Sequence, residues 1–284
     1  MDTPYNTWLC ASLFYNNAEF DKLIYSGLMP LINSLEDQEM IKGFLCSLNS
    51  VQGNNLRLSV LLHDDKKEEA LDRFHFVVNR FFEDYPSVNK QIGYPLKGFL
   101  RPFPNNSVQY NLYNNPLATS ADVMNFRMDY SQFMFDFFSA NAADEETVIF
   151  FLLCSVLYMM QVVAERSDTF RCEVMKPVDD WAVPGEDRRM LYDHFFQENK
   201  DLLLETYRAV ARDDAGSEVF KSVVETKKSF RRFVMDGHNL DLDAGSVISS
   251  LNSLMLSQLD LGAAASHAIY YIIGQCMKYK GPFL

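Results

Sequence analysis

Arg57 stands inside an alternating run, Asn55-Leu56-Arg57-Leu58-Ser59-Val60-Leu61-Leu62-His63. In an extended chain Leu56, Leu58, Val60 and Leu62 fall on one side and Arg57, Ser59 and His63 on the other, the alternation of a half-buried strand. A long cation in mid-strand either reaches water or lines a cavity, where its fixed guanidinium faces a carboxylate or a peptide carbonyl. The tract Gln109-Tyr110-Asn111-Leu112-Tyr113-Asn114-Asn115 is rich in neutral hydrogen-bonding groups. Such groups hold a peptide backbone without net charge, or simply mark a turn. His63, His75, His194, His238 and His267 are too scattered to suggest a metal site. A phosphate-cradling glycine loop, a GxSxG elbow and an HExxH helix are all missing. The chemistry on offer is cationic and neutral hydrogen bonding, with no metal and no cofactor expected.

The elements that must position these residues fall into two parts. Thr7 to Phe14 is rich in strand formers and stops at Asn16-Asn17. Phe20, Leu23, Ile24, Leu28, Leu31, Ile32 and Leu35 then recur at helical spacing, with Pro30 expected to kink or break the helix. Ile41 to Leu48 and Asn55 to His63 read as strands. Asp64-Asp65 is placed to cap a helix whose apolar face is Leu71, Phe74, Val78 and Phe81. A stretch from Tyr94 to Asn106 with Pro and Gly precedes a short strand, Val108 to Tyr113. After Pro116 the pattern is helical throughout: 117–138, 145–166, 187–212, 218–233, 246–259 and 263–277, with a loop from Phe170 to Pro184 carrying Trp181. The band Phe126, Tyr130, Phe133, Phe135, Phe137 and Phe138 is dense enough that most of it must be core. The expected fold is α+β: an N-terminal mixed sheet with packed helices over 1–115, then a mainly helical part over 116–284, the two forming one continuous body.

Composition bounds the partners. The chain has 284 residues, and 26 Lys plus Arg against 38 Asp plus Glu give a formal net charge of −12. A protein that negative repels phosphate backbones and anionic membrane, so neither is expected as a partner. The most apolar run, Val148 to Val163, is shorter than the ~20 residues of a bilayer span and is interrupted by Ser155 and Gln161, which favours a buried helix. Cys10, Cys46, Cys154, Cys172 and Cys276 form no close pair. That pattern argues against a disulfide framework and a CxxC zinc site, and it fits a reducing cytoplasm.

Taken in order, four stretches carry a resemblance. They are the opening strand Thr7-Trp8-Leu9 with the helical Leu28-Met29-Pro30-Leu31, the strand Asn55-Leu56-Arg57-Leu58-Ser59, the tract Asn111-Leu112-Tyr113-Asn114-Asn115-Pro116 with Asp129 beyond it, and the segment Ser253-Leu254-Met255-Leu256-Ser257-Gln258-Leu259. Their order and spacing resemble the C-terminal elimination domain of class I lanthipeptide dehydratases and its stand-alone relatives in thiopeptide-type bacteriocin biosynthesis, over nearly the whole chain. In that family the aligned strand reads His-Leu-Arg-Leu-Arg, the later tract Glu-Arg-Tyr-Gly-Gly-Pro and the last segment His-Met-x-x-Asn-Arg-Leu. Of the family's eliminating cations only Arg57 remains; the others are Ser59 and Leu112, and the histidine is Ser253. Leucine cannot stabilise an anion and serine is a poor base alone, which argues against a glutamate-elimination lyase.

The resemblance then implies two alternatives. One is a pyridine synthase, joining two dehydroalanines of a precursor peptide by formal cycloaddition with loss of the leader. The other is a catalytically decayed scaffold that holds the precursor or a partner enzyme. For the first, Arg57, Tyr113 and Gln258 are the candidate catalytic groups, and Tyr110, Asn111, Ser59 and Ser253 the candidate substrate-binding groups. The implied partners are the leader and core of a precursor peptide and a glutamylating dehydratase, with a homodimer left open.

Overall fold

The strand β1 (Trp8–Phe14) sits inside a four-stranded sheet because its inward residues are apolar on one side and small on the other. The computed structural model describes residues 8–88, 103–113, 121–141, 143–168, 186–211, 221–235 and 243–280. Within them β2 (Ile41–Asn49), β3 (Asn55–Leu62) and β4 (Ser107–Tyr110) complete the sheet in the order β2-β3-β1-β4. Every pairing is antiparallel, so the sheet is uniform where the sequence suggested a mixed one. Its register puts Ser12 opposite Arg57, Cys10 opposite Ser59 and Ala11 opposite both Leu58 and Tyr110.

That register gives the sheet two unlike faces. Leu9, Ala11, Leu13, Leu56, Leu58, Val60 and Leu62 make a wholly apolar, buried face. On this side lies α3 (Lys67–Asp84), whose Phe74 ring meets that of Tyr110. Phe74, Val78 and Phe81 of its expected stripe are buried, but Leu71 is 37% exposed. Before α3, Asp64 and Asp65 form a 3-10 turn and make no side-chain cap. Their charges favour the positive end of the helix without bonding to it.

The run from Asn17 to Asp37 stays helical through Pro30. After a 3-10 turn and α1 (Phe20–Lys22), a π-helical segment at Leu23–Leu28 leads into α2 (Met29–Asp37). Pro30 falls in the first turn of α2, directly after the π-helical segment, so the expected break becomes a change of helix type.

α4 (Ala121–Ala140) packs against β2 and protects that edge of the sheet. Its Ser131 Oγ accepts a 2.8 Å hydrogen bond from the Cys46 N–H and donates to the Arg127 carbonyl at 2.7 Å. Close approach is possible because Gly43, at φ +152°, forms a bulge whose missing Cβ would lie 3.0 Å from the Met128 sulfur. Phe126, Tyr130, Phe133, Phe135 and Phe138 are buried as expected. Because α4 belongs with the sheet, the chain divides by compactness into residues 1–144 and 145–284.

The second unit is helical. Its central α5 (Glu145–Ala164) is long and apolar enough to cross a bilayer by length and composition alone. Most of it is nevertheless buried, with Phe151 to Leu153 and Val156 to Met160 inside. It packs on α7 (Lys200–Ala211), α8 (Lys221–Met235), α9 (Ala244–Gln258) and α10 (Ala263–Lys280). Ser155 satisfies its hydroxyl on the Phe151 carbonyl, and Gln161 donates to the Val210 carbonyl. α6 (Glu186–Glu198) is separated from α7 only by Asn199, where one long helix was expected. The Phe170–Pro184 loop with Trp181, Cys172, Asn114 to Pro116 and most of the Tyr94–Asn106 stretch lie outside the described residues.

Candidate functional site

The other face of the sheet carries its polar side chains among apolar ones. From β1 it receives Trp8, Cys10 and Ser12, from β3 Arg57, Ser59 and Leu61, and from β2 Leu45 and Ser47. Ser12 and Ser59 are buried although polar. Tyr113 folds over this face from beyond the end of β4. Its hydroxyl lies 3.1 Å from Ser59 Oγ and 3.4 Å from the Ala11 carbonyl. Ser59 donates in turn to Cys10 Sγ at 3.4 Å, and the Tyr113 hydroxyl donates to the Ala11 carbonyl. The result is a small neutral hydrogen-bonded cluster of Tyr113, Ser59 and Cys10.

Arg57 stacks on this cluster, its guanidinium carbon 4.7 Å from the Tyr113 ring centroid. Such cation–π contact fixes the plane of the fork while leaving its edge free to donate. Arg57 Nε is buried with no hydrogen-bond partner among the described residues. An unmatched buried donor costs about 1–3 kcal/mol. Burial holds the Tyr113 phenol well above its ordinary pKa, outweighing the Arg57 charge that acts the other way. Tyr113 is therefore a neutral proton donor, not a phenolate base. Burial likewise raises the Cys10 thiol, so its sulfur is an acceptor and not a nucleophile.

The remaining sequence candidates are placed as follows. Tyr110 points to the apolar face, and its hydroxyl lies 3.0 Å from His75 Nδ1 on α3. Asn111 ends β4 in a left-handed conformation, φ +57°, and is exposed. Ser253 and Gln258 belong to α9 in the second unit, Ser253 exposed and Gln258 wholly buried. The structure thus brings Arg57, Ser59 and Tyr113 together, pairs Tyr110 with a histidine the sequence reading set aside, and adds Cys10 and Ser12. The last two were legible in principle, because Trp8, Cys10 and Ser12 alternate with Leu9, Ala11 and Leu13 as Arg57 and Ser59 do with their leucines. No group of carboxylate, imidazole and thiol ligands suited to a metal occurs among the described residues.

No family model and no curated protein matches the sequence. Solved structures do. A pyridine synthase, TbtD, from thiomuracin biosynthesis superposes with a TM-score of 0.69, covering 97% of this chain and 99% of that one at 14% identity. This chain has the fold of a pyridine synthase. TsrL matches at TM-score 0.57 and 11% identity, over 96% of this chain and 95% of that one. The tRNA-dependent lantibiotic dehydratase MibB from Microbispora sp. 107891 matches at TM-score 0.62 and 11% identity; 98% of this chain covers 29% of MibB. The resemblance read from the sequence is therefore borne out as a likeness of fold, extending over the full pyridine-synthase architecture.

Proposed function

We propose that this chain forms a pyridine-type ring in a ribosomally made precursor peptide carrying two dehydroalanines. The observation that supports this most is the pairing of a full-length pyridine-synthase fold with a face on which Arg57 stacks on a protonated Tyr113. Cycloaddition asks for this kind of surface: it needs two alkenes held together and carbonyls polarised, with no strong base. Holding reactants in attack geometry lowers a barrier by ~7–11 kcal/mol when alignment is ideal.

The bonds balance without an oxidant. One dehydroalanine and the iminol form of its preceding amide make a four-atom C=C–N=C unit, and the other dehydroalanine supplies the two-atom C=C. Two carbon–carbon bonds close the ring, water leaves from the former amide carbon, and the leader departs as a carboxamide to complete the aromatic system. Arg57 would hold the amide oxygen as it becomes a hydroxyl, and the Tyr113 hydroxyl would donate the proton that carries water away. The alkenes require an upstream dehydrating enzyme, of which a glutamylating dehydratase is the expected kind, acting in the same cytoplasm.

Ser59, Leu112 and Ser253 at the positions of the resembled motifs support a second reading, a scaffold that binds the precursor without changing it. Incubation with a leader-bearing peptide containing two dehydroalanines separates the two by mass. Ring formation is expected to give a product lighter by water and leader, with the leader carboxamide as a second species; binding with unchanged mass would establish the scaffold instead.

A further inference from the structure

A groove lies where β4 stops short. β1 continues to Trp8, but β4 pairs with it only from Phe14 back to Ala11 and then turns away at the left-handed Asn111. The Cys10 carbonyl accepts from the Asn111 N–H, so it points to the β4 side. Two residues earlier on an extended strand, the Trp8 N–H and carbonyl point the same way. No described residue pairs with them. Beneath this edge is a cavity of about 530 Å³, lined on the apolar face by Leu9, Leu62, Leu71, His75 and Tyr110 and at the strand itself by Trp8. Leu71 belongs to the core stripe of α3 by spacing and is still 37% exposed, since no strand among the described residues covers it. Lys67 and Asp72 also line the groove, one charge of each sign, so selection there is by shape and backbone rather than by charge.

We propose that this groove docks an extended peptide segment, which continues the missing β4 by pairing its backbone with Trp8 and sets an apolar side chain against Leu9, Leu62 and Leu71. A peptide is the occupant because a donor and an acceptor at strand spacing are matched by another backbone, while alternate side chains fill the pocket. His75, held by Tyr110 at the far wall, gives the incoming side chain a polar limit. The site is built from β1, α3 and the end of β4, on the side of the sheet opposite Arg57. It rests on the proposed function only in naming its natural occupant, a stretch of the same precursor outside the reacting alkenes.

Trp8 and Trp181 are the two tryptophans, so a Trp181→Phe protein makes Trp8 the sole indole reporter. The probe is a set of alkene-free decapeptides, Ser/Thr-rich with one Leu, Phe or Ile at the centre, each paired with a version N-methylated at alternate amides. Saturable shifts in Trp8 fluorescence are expected for at least one peptide. Leu71→Asp and Leu71→Trp should each weaken binding tenfold or more without lowering the melting temperature by more than a few degrees, and N-methylation of the register that faces Trp8 should do the same. If none of the peptides binds, or binding survives both Leu71 substitutions and N-methylation, strand docking at the groove is wrong. Because the probes contain no dehydroalanine, that outcome leaves ring formation to be judged separately, and failed ring formation leaves this test intact.

Discussion

At the residue scale the account turns on Arg57, a cation whose plane is set by Tyr113 and whose Nε has no partner among the described residues. Arg57→Ala is expected to lower turnover of a doubly dehydrated peptide about 100-fold, the scale seen when one donor to a developing charge is removed. Arg57→Lys keeps the charge but loses the fork and should fall between. Both proteins should melt within a few degrees of the parent, since the side chain is half-buried and unpaired; equal kcat/KM for all three would reduce Arg57 to surface. Alternation in Asn55–Leu62 made this residue legible before any coordinates. Tyr113 as its partner was not legible, because the left-handed Asn111 redirects the chain after β4, and strand periodicity carries no signal of such a turn.

At the element scale the sheet works because each edge is handled differently. The β2 edge is closed by α4, where Ser131 takes the Cys46 N–H. Ser131→Ala would leave that N–H buried and unmatched, and is expected to cost about 1–3 kcal/mol, read as a lower urea midpoint at unchanged m-value; an unchanged midpoint would mean water replaces the hydroxyl. The β1 end beyond Asn111 is unpaired among the described residues and borders the groove. Periodicity found the strands and most helices, since apolar faces dominate their sequences. It misjudged Pro30, because a π-helical segment can deliver a proline to the first turn of the next helix. It also missed that α4 packs with the sheet, because a helix rich in aromatic residues on every side does not declare which neighbour it will choose.

At the scale of the whole molecule, buried phenols and thiols set an alkaline limit. Burial pushes Tyr15 and Tyr110 up to about 12, does the same to Cys154 and Cys276, and raises Tyr207 and Tyr270 as well. Folded, these groups keep their protons; unfolded, they release them near about 9 for thiols and 10 for phenols. The native state then binds more protons, so stability is full below those values and falls as pH rises through them toward about 12. Urea midpoints should be level from about pH 7 to 8.5 and drop steeply above about pH 10; a midpoint that rises there would refute the burial. Sequence alone reached the fold and the likeness to thiopeptide enzymes through the order of motifs, while the reaction depends on which cations survive at the polar face. One competition therefore tests the account best: a glutamylated peptide and a peptide with two dehydroalanines offered together to the purified protein and followed by mass. The account predicts that the doubly dehydrated peptide loses water and leader while the glutamylated one is untouched, and release of free glutamate with the dehydrated peptide unchanged would contradict it.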